Sequence, residues 1–385
     1  MDSLFVALFW ICVVLVGWTY AGYPAVLSVM RGLRPRSSDY GEFEPSVSLI
    51  ITAYNEEKSI DQKLRSCLSL SYPKEKLQIL VASDKSTDRT HEIVRSFEKD
   101  GVDLLVLEER GGKTAAQNAA KKYASGEIIV FTDASTAFDR NTIQHLVRPF
   151  SNARIGCVAA ELDYVSDAKT GVGKGAGAYW RYERWIKHLE SDTSSLIGVS
   201  GCLYAVRREI CPTLEVDMIS DFVVSSELYS NGFITVYGRG AVAFEKTLED
   251  SAQEFNMRVR VAIRSINALV RYRRMLNPVR YGFFSVQLIS HKLLRYVVPE
   301  FLLAILGLNV AIVTSRPQDS FYTITLYLQL ALYLSALMGW VFHSIGIRVP
   351  IFHIPFYFLH ANLAVLWAQV RYALGERKTV WTPIR

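Results

Sequence analysis

The feature that most constrains the fold is a pair of short apolar runs, at residues 47–51 and 77–82, separated by a helix-length segment. Each run is rich in aliphatic side chains, as a parallel strand buried on both faces would be. Residues 56–70 between them predict a helix, so the unit is predicted to be β-α-β. In open α/β sheets, ligands bind beyond the carboxyl ends of the strands. The polar residues that follow each run are therefore candidate binding residues.

Strands and helices continue to alternate after this unit. Helices are predicted at residues 88–99 and 114–123, and strands at residues 104–107 and 127–131. This order predicts an α/β domain with a mostly parallel sheet and helices on both faces. Further predicted elements follow in the order strand 156–160, glycine-rich loop 171–177, helix 179–189, strand 200–206, helix 220–231, strand 233–237 and helix 252–272.

Both ends of the chain are apolar enough for membrane-spanning helices. Residues 4–20 are almost entirely apolar, and a spanning helix needs roughly 20 such residues. Because a basic n-region and a small-residue cleavage site are missing, an uncleaved anchor is favoured over the alternative, a cleaved signal peptide. Three further apolar segments occupy residues 297–314, 321–342 and 351–370. The last of them is the weakest candidate, because His353 and Pro355 interrupt it.

Basic residues give two conflicting indications of membrane orientation. Arg31, Arg34 and Arg36 follow the first apolar segment, which places the following polar segment in the cytosol. Four crossings would then leave the C-terminus outside. The C-terminal tail nevertheless carries four basic residues, Arg371, Arg377, Lys378 and Arg385. The two indications agree only if one apolar segment is re-entrant or interfacial.

The expected organisation is a multi-pass protein of the cell (inner) membrane with a cytoplasmic domain. Residues 1–36 form the anchor, residues 37–275 the cytosolic domain, and residues 276–385 interfacial and C-terminal transmembrane helices. The five cysteines show no Cys-x-x-Cys pair, so reduced packing thiols are expected. The net charge of +6 is modest, and contact with membrane lipids explains it better than nucleic acid, which is not an expected partner.

Polar motifs stand in a definite order along the cytosolic segment. They are Tyr54-Asn55-Glu56-Glu57, residues 83–90, Gly112-Lys113 with Asn118, Thr132-Asp133-Ala134-Ser135, Ser220-Asp221 and Arg258-Val259-Arg260. Any one of these motifs is weak, but the ordered set resembles family 2 glycosyltransferases. With the apolar segments included, the chain is similar to cellulose, chitin and hyaluronan synthases. The resemblance implies an α/β GT-A nucleotide-diphospho-sugar transferase domain joined to α-helical transmembrane segments.

The resemblance also implies where the nucleotide binds. The acid after the second strand, Asp84, would accept the uracil N3–H, although helix capping is an alternative for acids in this turn. Tyr54 would stack on the base or, alternatively, be a packed aromatic. Glu56 would bind the donor or serve as a first-turn helix acid. Ala53 ends the first strand beside them and completes this group of substrate-binding candidates.

Two motifs are candidates for binding the donor diphosphate. Lys113 follows two glycines, which let a ligand approach the backbone, so it would contact phosphate or ribose; a solvated loop lysine is the alternative. Asp133 ends an apolar run, where a carboxylate needs a partner. A bridging Mg²⁺ or Mn²⁺ would be such a partner. Ser135 replaces the second acid of the family's Asp-x-Asp and would bind the metal directly or through water.

The catalytic base implied by the resemblance is Asp221. It stands where the family keeps an acidic pair, of which the first member is here Ser220. The alternative is a helix N-cap, a role that Ser220 could fill by itself. Asp217 is a second nearby acid that competes for the assignment.

The arginines of the predicted helix 252–272 are candidates for binding the leaving group. Where related synthases have Gln-x-x-Arg-Trp, only the arginine is retained, as Arg260. Arg260 would neutralise the departing diphosphate, with Arg258 or Arg264 assisting. Alternatively, these arginines line a helix on the membrane surface.

The function expected from this resemblance is metal-dependent inverting glycosyl transfer. A UDP-sugar donor would be used to build a polysaccharide or glycan at the membrane, and no export partner is identified by the sequence. A single-addition transferase acting on a lipid-linked acceptor is one alternative. A catalytically silent protein that binds nucleotide-sugar is the other, encouraged by Ser83, Ser135 and Ser220 in place of family acids.

Overall fold

In the described ranges, eight strands form one mixed sheet. The computed structural model describes residues 2–33, 40–165, 172–246, 251–347 and 349–377. The strands are β1 Val47–Ala53, β2 Leu77–Ser83, β3 Val102–Val106, β4 Ile128–Asp133, β5 Ala137–Phe138, β6 Ile155–Val165, β7 Leu203–Arg207 and β8 Ile234–Lys246. Their order across the sheet is β3-β2-β1-β4-β7-β6-β8-β5.

The direction of the strands confirms the α/β expectation and refines it. Strands β1 to β4 are parallel neighbours, as their apolar runs predict. Strand β7 then runs antiparallel to both β4 and β6. Strands β6 and β8 pair in parallel, and the short β5 closes the edge antiparallel to β8. The sheet is therefore mostly parallel, with β5 and β7 reversed.

Helices cover the sheet and continue into the apolar ends of the chain. In the described ranges they are α1 Asp2–Gly17, α2 Tyr23–Leu33, α3 Ile60–Leu68, α4 Thr90–Arg95, α5 Lys113–Lys121, α6 Thr142–Val147, α7 Val172–Thr193, α8 Ser220–Ser230, α9 Ser251–Arg271, α10 Pro278–Tyr281, α11 Phe283–Leu288, α12 Leu294–Ser315, α13 Ser320–Ser344 and α14 Pro350–Ala373. Single π-helical turns join α1 to α2 and α11 to α12.

The sheet separates two hydrophobic layers because its side chains alternate between faces. Leu49 and Ile51 of β1 point into one layer together with α3. Ile50 of the same strand points into the other layer, together with the small residues of α5. Alternate burial on both faces explains why the strands read as nearly continuous apolar runs in the sequence.

Four helical segments are long and apolar enough to cross a membrane. They are Ser3–Leu33, Phe283–Ser315, Ser320–Ser344 and Pro350–Ala373. The third C-terminal candidate forms a continuous helix despite its internal Pro355. The amphipathic helix α9 packs its apolar face, including Val259 and Ile263, on α14. Helix α9 therefore contacts one of the four candidate spanning helices directly.

The structure corrects two sequence-based element assignments. The predicted loop at 171–177 is helical from Val172 onward, because α7 gains its stability from later turns that bury Ile186 and Leu189 against α2; Gly171 lies outside the described residues. The predicted strand at 233–237 continues to Lys246, past Gly238 and Gly240. The basic residues Arg34, Arg36, Lys378 and Arg385 also lie outside the described residues.

Candidate active site

Three predicted site positions meet at one edge of the sheet, beyond the carboxyl ends of parallel strands. Ala53 pairs in register with Ser83, the last residue of β2, and Thr52 pairs with Asp133, the last residue of β4. The backbone N–H of Asp84 donates to the carbonyl of Ala53 at 2.9 Å. Asp84 and Asp133 therefore flank the end of β1, which is where the sheet topology predicts a ligand.

Asp84 shapes the turn that precedes α5. Its buried carboxylate accepts the backbone N–H groups of Gly111 at 2.8 Å and Gly112 at 2.9 Å. Gly112 has φ +83°, a conformation that favours glycine. Because α5 begins at the next residue, this turn fixes the position of Lys113. Each carboxylate oxygen keeps a second lone pair for a further donor.

Lys113 lies between two acids of the site. Its ammonium is 2.5 Å from Asp133 Oδ1 and donates to the carbonyl of Gly201 at 2.9 Å. Burial opposes the charge of the ammonium, but Asp133 and then Asp221 outweigh burial and raise the pKa of Lys113. The lysine therefore stays charged in the site and is not a freely solvated loop residue.

Asp221 enters the site through a gap left by a glycine. The residue is in the first turn of α8, and Ser220 donates its hydroxyl to Asp221 Oδ1 at 3.3 Å. A Cβ on Gly201 would lie 2.1 Å from the same oxygen. Only a residue without a side chain at 201 leaves space for the carboxylate in this position.

Two charged residues that sequence reasoning missed lie beside Asp133. Lys63 is buried on the apolar face of α3, and its ammonium donates to the Thr132 hydroxyl at 3.0 Å. Burial lowers the pKa of Lys63 to about 8. Glu245 lies near the end of β8, where burial and then Asp133 raise the pKa of its carboxyl. The signal for Lys63 was a charge on the buried face of a helix; Glu245 was missed because β8 was predicted too short.

The predicted nucleotide-binding residues at the end of β1 have specific partners. The guanidinium of Arg110 lies 3.8 Å from the centre of the Tyr54 ring. Glu56 is buried and its carboxylate accepts the hydroxyl of Ser59, directly before α3. Helix α3 begins at Ile60 and its first-turn acid is Asp61, so Glu56 precedes the helix and does not have the first-turn role considered for it. Tyr54 has a cation on its ring face.

The arginines of α9 divide between two places. Arg264 donates to Thr114, the neighbour of Lys113, at 3.3 Å, and Asp221 partly offsets the burial that lowers the pKa of Arg264. Arg260 lies one helical turn earlier on the same face. Arg258 instead pairs with Glu254 at 3.0 Å, and its guanidinium also contacts Tyr357 of α14. Arg264, not Arg258, is thus the arginine in contact with this edge of the sheet.

Asp133 keeps a carboxylate oxygen suited to a hard cation. Its Oδ1 accepts the Thr52 hydroxyl and pairs with Lys113, while Oδ2 has no hydrogen-bond partner among the described residues. Ser135 is exposed two residues later. In the described part of the chain, no three His, Cys, Asp or Glu side chains form a ready metal cluster. Mg²⁺ commonly needs only one or two carboxylates when phosphate oxygens complete its shell, so this donor set fits such an ion.

Comparison with known proteins connects this edge of the sheet to a family. Residues 48–214 match the model described as glycosyl transferase family 2. The chain is 26% identical over 227 residues to a probable glycosyltransferase, YdaM, of Bacillus subtilis, covering 53% of this chain and 51% of the relative. It is 26% identical over 275 residues to the poly-beta-1,6-N-acetyl-D-glucosamine synthase of Staphylococcus epidermidis, covering 70% and 65%. It is 27% identical over 169 residues to the beta-monoglucosyldiacylglycerol synthase of a Nostoc species, covering 43% and 36%.

The matched regions thus span between about a third and two thirds of these relatives' length. Among solved structures, a mannosyltransferase from Pyrobaculum calidifontis, in complex with GDP-Man and Mn²⁺, superposes with a TM-score of 0.70. The two sequences are 20% identical, and the match covers 96% of this chain and 99% of the other. This similarity shows that the fold is GT-A-like.

Proposed function

We propose that the protein transfers a sugar from a nucleoside-diphosphate donor to an acceptor at the membrane, because residues 48–214 match the model of glycosyl transferase family 2. The observation that carries the proposal is the convergence of Asp133, Lys113 and Asp221 at one edge of the sheet. The ammonium of Lys113, beside the carboxylates of Asp133 and Asp221, can bind a diphosphate and neutralise its charge as it leaves.

The nucleotide would bind over the ends of β1 and β2. Asp84 has free lone pairs for a base N–H, and the ring of Tyr54 offers a stacking surface once Arg110 moves or pairs with phosphate. The buried residues Ala53 and Glu56 would lie at the edge of this surface. These features support a UDP-sugar donor. Because the mannosyltransferase of similar fold is bound to GDP-Man, GDP-mannose belongs in the same test.

The reaction would be a single displacement that inverts the anomeric carbon. Asp221 takes the proton of an acceptor hydroxyl as that oxygen attacks the anomeric carbon. The bond from this carbon to the diphosphate oxygen breaks, and its electron pair remains on the departing nucleoside diphosphate. Lys113 and Arg264 stabilise the developing negative charge, with Arg260 one turn away on the same helix.

A divalent cation would be held at Asp133, with Ser135 reaching it directly or through water. Bound there, Mg²⁺ or Mn²⁺ neutralises diphosphate oxygens and makes the nucleotide a better leaving group. The side chains present agree with this role, because Asp133 Oδ2 remains open among the described residues.

The acceptor would be a glycan or a lipid-linked sugar at the bilayer. Four candidate spanning helices and the packing of α9 on α14 support a multi-pass protein whose site opens near the membrane surface. The relatives include both a polysaccharide synthase and a glycolipid synthase. Product size therefore separates polymer building from single addition.

The test uses purified protein in lipid nanodiscs, a panel of UDP-sugars together with GDP-mannose, and Mn²⁺ or Mg²⁺. Nucleotide release is measured first, and the product is then sized by mass spectrometry. Asp221→Asn should abolish turnover while nucleotide binding persists. Asp217→Asn is the matched control, because Asp217 binds Asn267 at 3.0 Å and should be dispensable for proton transfer. Full activity of Asp221→Asn would remove the proposed base, and a chain that turns over none of the donors would favour a silent binding protein.

A further inference from the structure

We propose that Glu245 supplies the second carboxylate of the cation site, in place of the acid that is missing at Ser135. The inference rests on the proposed function, since the cation would be the one that bridges the donor diphosphate. Its basis is the position of Glu245, which the sequence did not reveal because β8 was predicted to end at residue 237.

The register of the sheet places Glu245 opposite the turn that follows β4. Strand β5 pairs antiparallel with β8, so that Ala137 lies opposite Phe244. Glu245 is therefore next to Thr136, which donates its hydroxyl to Glu245 Oε1 at 3.0 Å. The backbone N–H of the same Thr136 donates to the carbonyl of Asp133 at 3.3 Å. One tight turn thus holds both acids.

Both carboxylates have one oxygen available. Asp133 uses Oδ1 for Thr52 and Lys113, and Glu245 uses Oε1 for Thr136. Neither Asp133 Oδ2 nor Glu245 Oε2 has a hydrogen-bond partner within the described ranges. Two carboxylate oxygens together with phosphate oxygens and water form the hard, all-oxygen shell that Mg²⁺ and Mn²⁺ prefer.

Glu245 is a partly buried carboxylate at the end of an apolar strand face. The side chain follows the fully buried Ala241 and Ala243 on the same face of β8. Within the described ranges, Glu245 makes no ion pair, and the nearby Lys63 donates to Thr132 and to the carbonyl of Thr136. Glu245 is partly buried and accepts one hydrogen bond, so a cation on its other oxygen would offset the cost of its partial removal from water.

Ser135 is poorly suited to be the second ligand on its own. Its hydroxyl is neutral, and the side chain is exposed rather than held against the Asp133 turn. The free energy of binding a divalent cation depends on the number of charged ligands, so replacing an acid by serine weakens a site unless another acid compensates. Glu245 provides that charge from a different strand.

Mn²⁺ binding tests the proposal without relying on turnover. Free Mn²⁺ is titrated by electron paramagnetic resonance against nanodisc protein, with and without UDP, for the wild type, Glu245→Gln, Glu245→Asp and Ser135→Ala. Even outer partners of metal sites contribute about 10–100-fold to affinity, so Glu245→Gln should raise the Mn²⁺ Kd by at least about tenfold. Glu245→Asp retains the charge and should bind more tightly than Glu245→Gln, and Ser135→Ala should have the smaller effect.

The matched control is Glu161→Gln, which removes a partly buried carboxylate of the same sheet that pairs with His188 instead. Its Mn²⁺ Kd should equal that of the wild type. A wild-type Kd in Glu245→Gln, or no Mn²⁺ binding by the wild type with UDP, overturns the proposal. The thermal midpoint of each variant shows whether it is folded, and Glu245→Asp keeps the comparison valid if Glu245→Gln is unstable. Mn²⁺ binding that depends on Glu245 without turnover of any donor would count against the proposed function alone.

Discussion

Replacing Gly201 by alanine should move the carboxylate of Asp221 while leaving the protein folded. The added Cβ would lie 2.1 Å from Asp221 Oδ1, 2.7 Å from Cγ and 2.8 Å from Oδ2. The atoms that must yield are the tip of a side chain, so the carboxylate can rotate away at little cost in stability. The carbonyl of Gly201 that accepts from Lys113 is retained in the variant.

The size of the effect follows from the required displacement. Ordinary van der Waals contact begins at 3.4 Å, so Oδ1, at 2.1 Å, must withdraw by about 1.3 Å. A misplacement of about 1 Å can cost roughly 100-fold in rate. That factor corresponds to about 2.7 kcal/mol in activation free energy. The affinity for the donor should change little, because Asp84, Asp133 and the end of β1 stay in place.

Nucleotide release from the best donor measures kcat and the donor KM in Gly201→Ala and the wild type. Gly41→Ala is the control, because a Cβ at Gly41 meets no heavy atom within 4 Å. The expected result is a roughly 100-fold lower kcat, with an unchanged KM and thermal midpoint for Gly201→Ala only. Wild-type turnover in Gly201→Ala would refute the reasoning, because Asp221 would then not need its present position to act as the base.

Three further predictions concern the donor site and its support. Asp133→Ala should weaken nucleotide binding in Mn²⁺ and remove its metal dependence, as measured by calorimetry; unchanged binding would exclude Asp133 as the metal ligand. Tyr54→Ala should weaken nucleotide binding, whereas Tyr54→Phe should not, if the ring stacks on the base; equal losses would contradict stacking. Burial lowers the pKa of Lys63 to about 8, below its ordinary 10.5, so its charge destabilises the fold at lower pH and this cost is relieved as the pH rises from 8 to 10.5. The free energy of unfolding of the wild type should therefore rise by up to about 2 kcal/mol between about pH 7.5 and 9.5, whereas that of Lys63→Met should not show this rise. Thermal midpoints that change with pH in the same way in both proteins would contradict a contribution from Lys63.

The parallel half of the sheet could be predicted because both of its faces are buried. Strand β1 alternates between two hydrophobic layers, so its residues are apolar without interruption and its end is clear. The acids at the ends of β2 and β4 follow such runs directly. Their position at one edge needed only the rule that parallel strands end together.

The reversed strands and the long β8 could not be predicted in the same way. Gly238 and Gly240 lie within β8, and Gly240 has φ +84°. Glycines at such positions in a sequence predict a turn rather than a continuing strand. Pairing with β6, whose register shifts between Ala159 and Glu161, and with the short β5 keeps the chain extended to Glu245. Contacts with residues distant in sequence therefore determine the length of β8 and, with it, the position of Glu245.

The arginines show a further limit of sequence reasoning. Positions 258, 260 and 264 of the helix are all arginines, so the sequence alone does not distinguish them. The family pattern favours the arginine at 260. Packing separates them, because Arg258 faces α14 while Arg264 contacts Thr114. Which face of α9 meets the sheet depends on how α9 docks on α14, and periodicity does not encode that docking.

The most direct test of the account is a structure of the Asp221→Asn variant trapped with an intact UDP-sugar and Mn²⁺. The diphosphate should lie beside Lys113, with the cation on Asp133 and the anomeric carbon facing residue 221. A diphosphate bound away from the ends of β1, β2 and β4, or a residue 221 on the far side of the sugar, would contradict it.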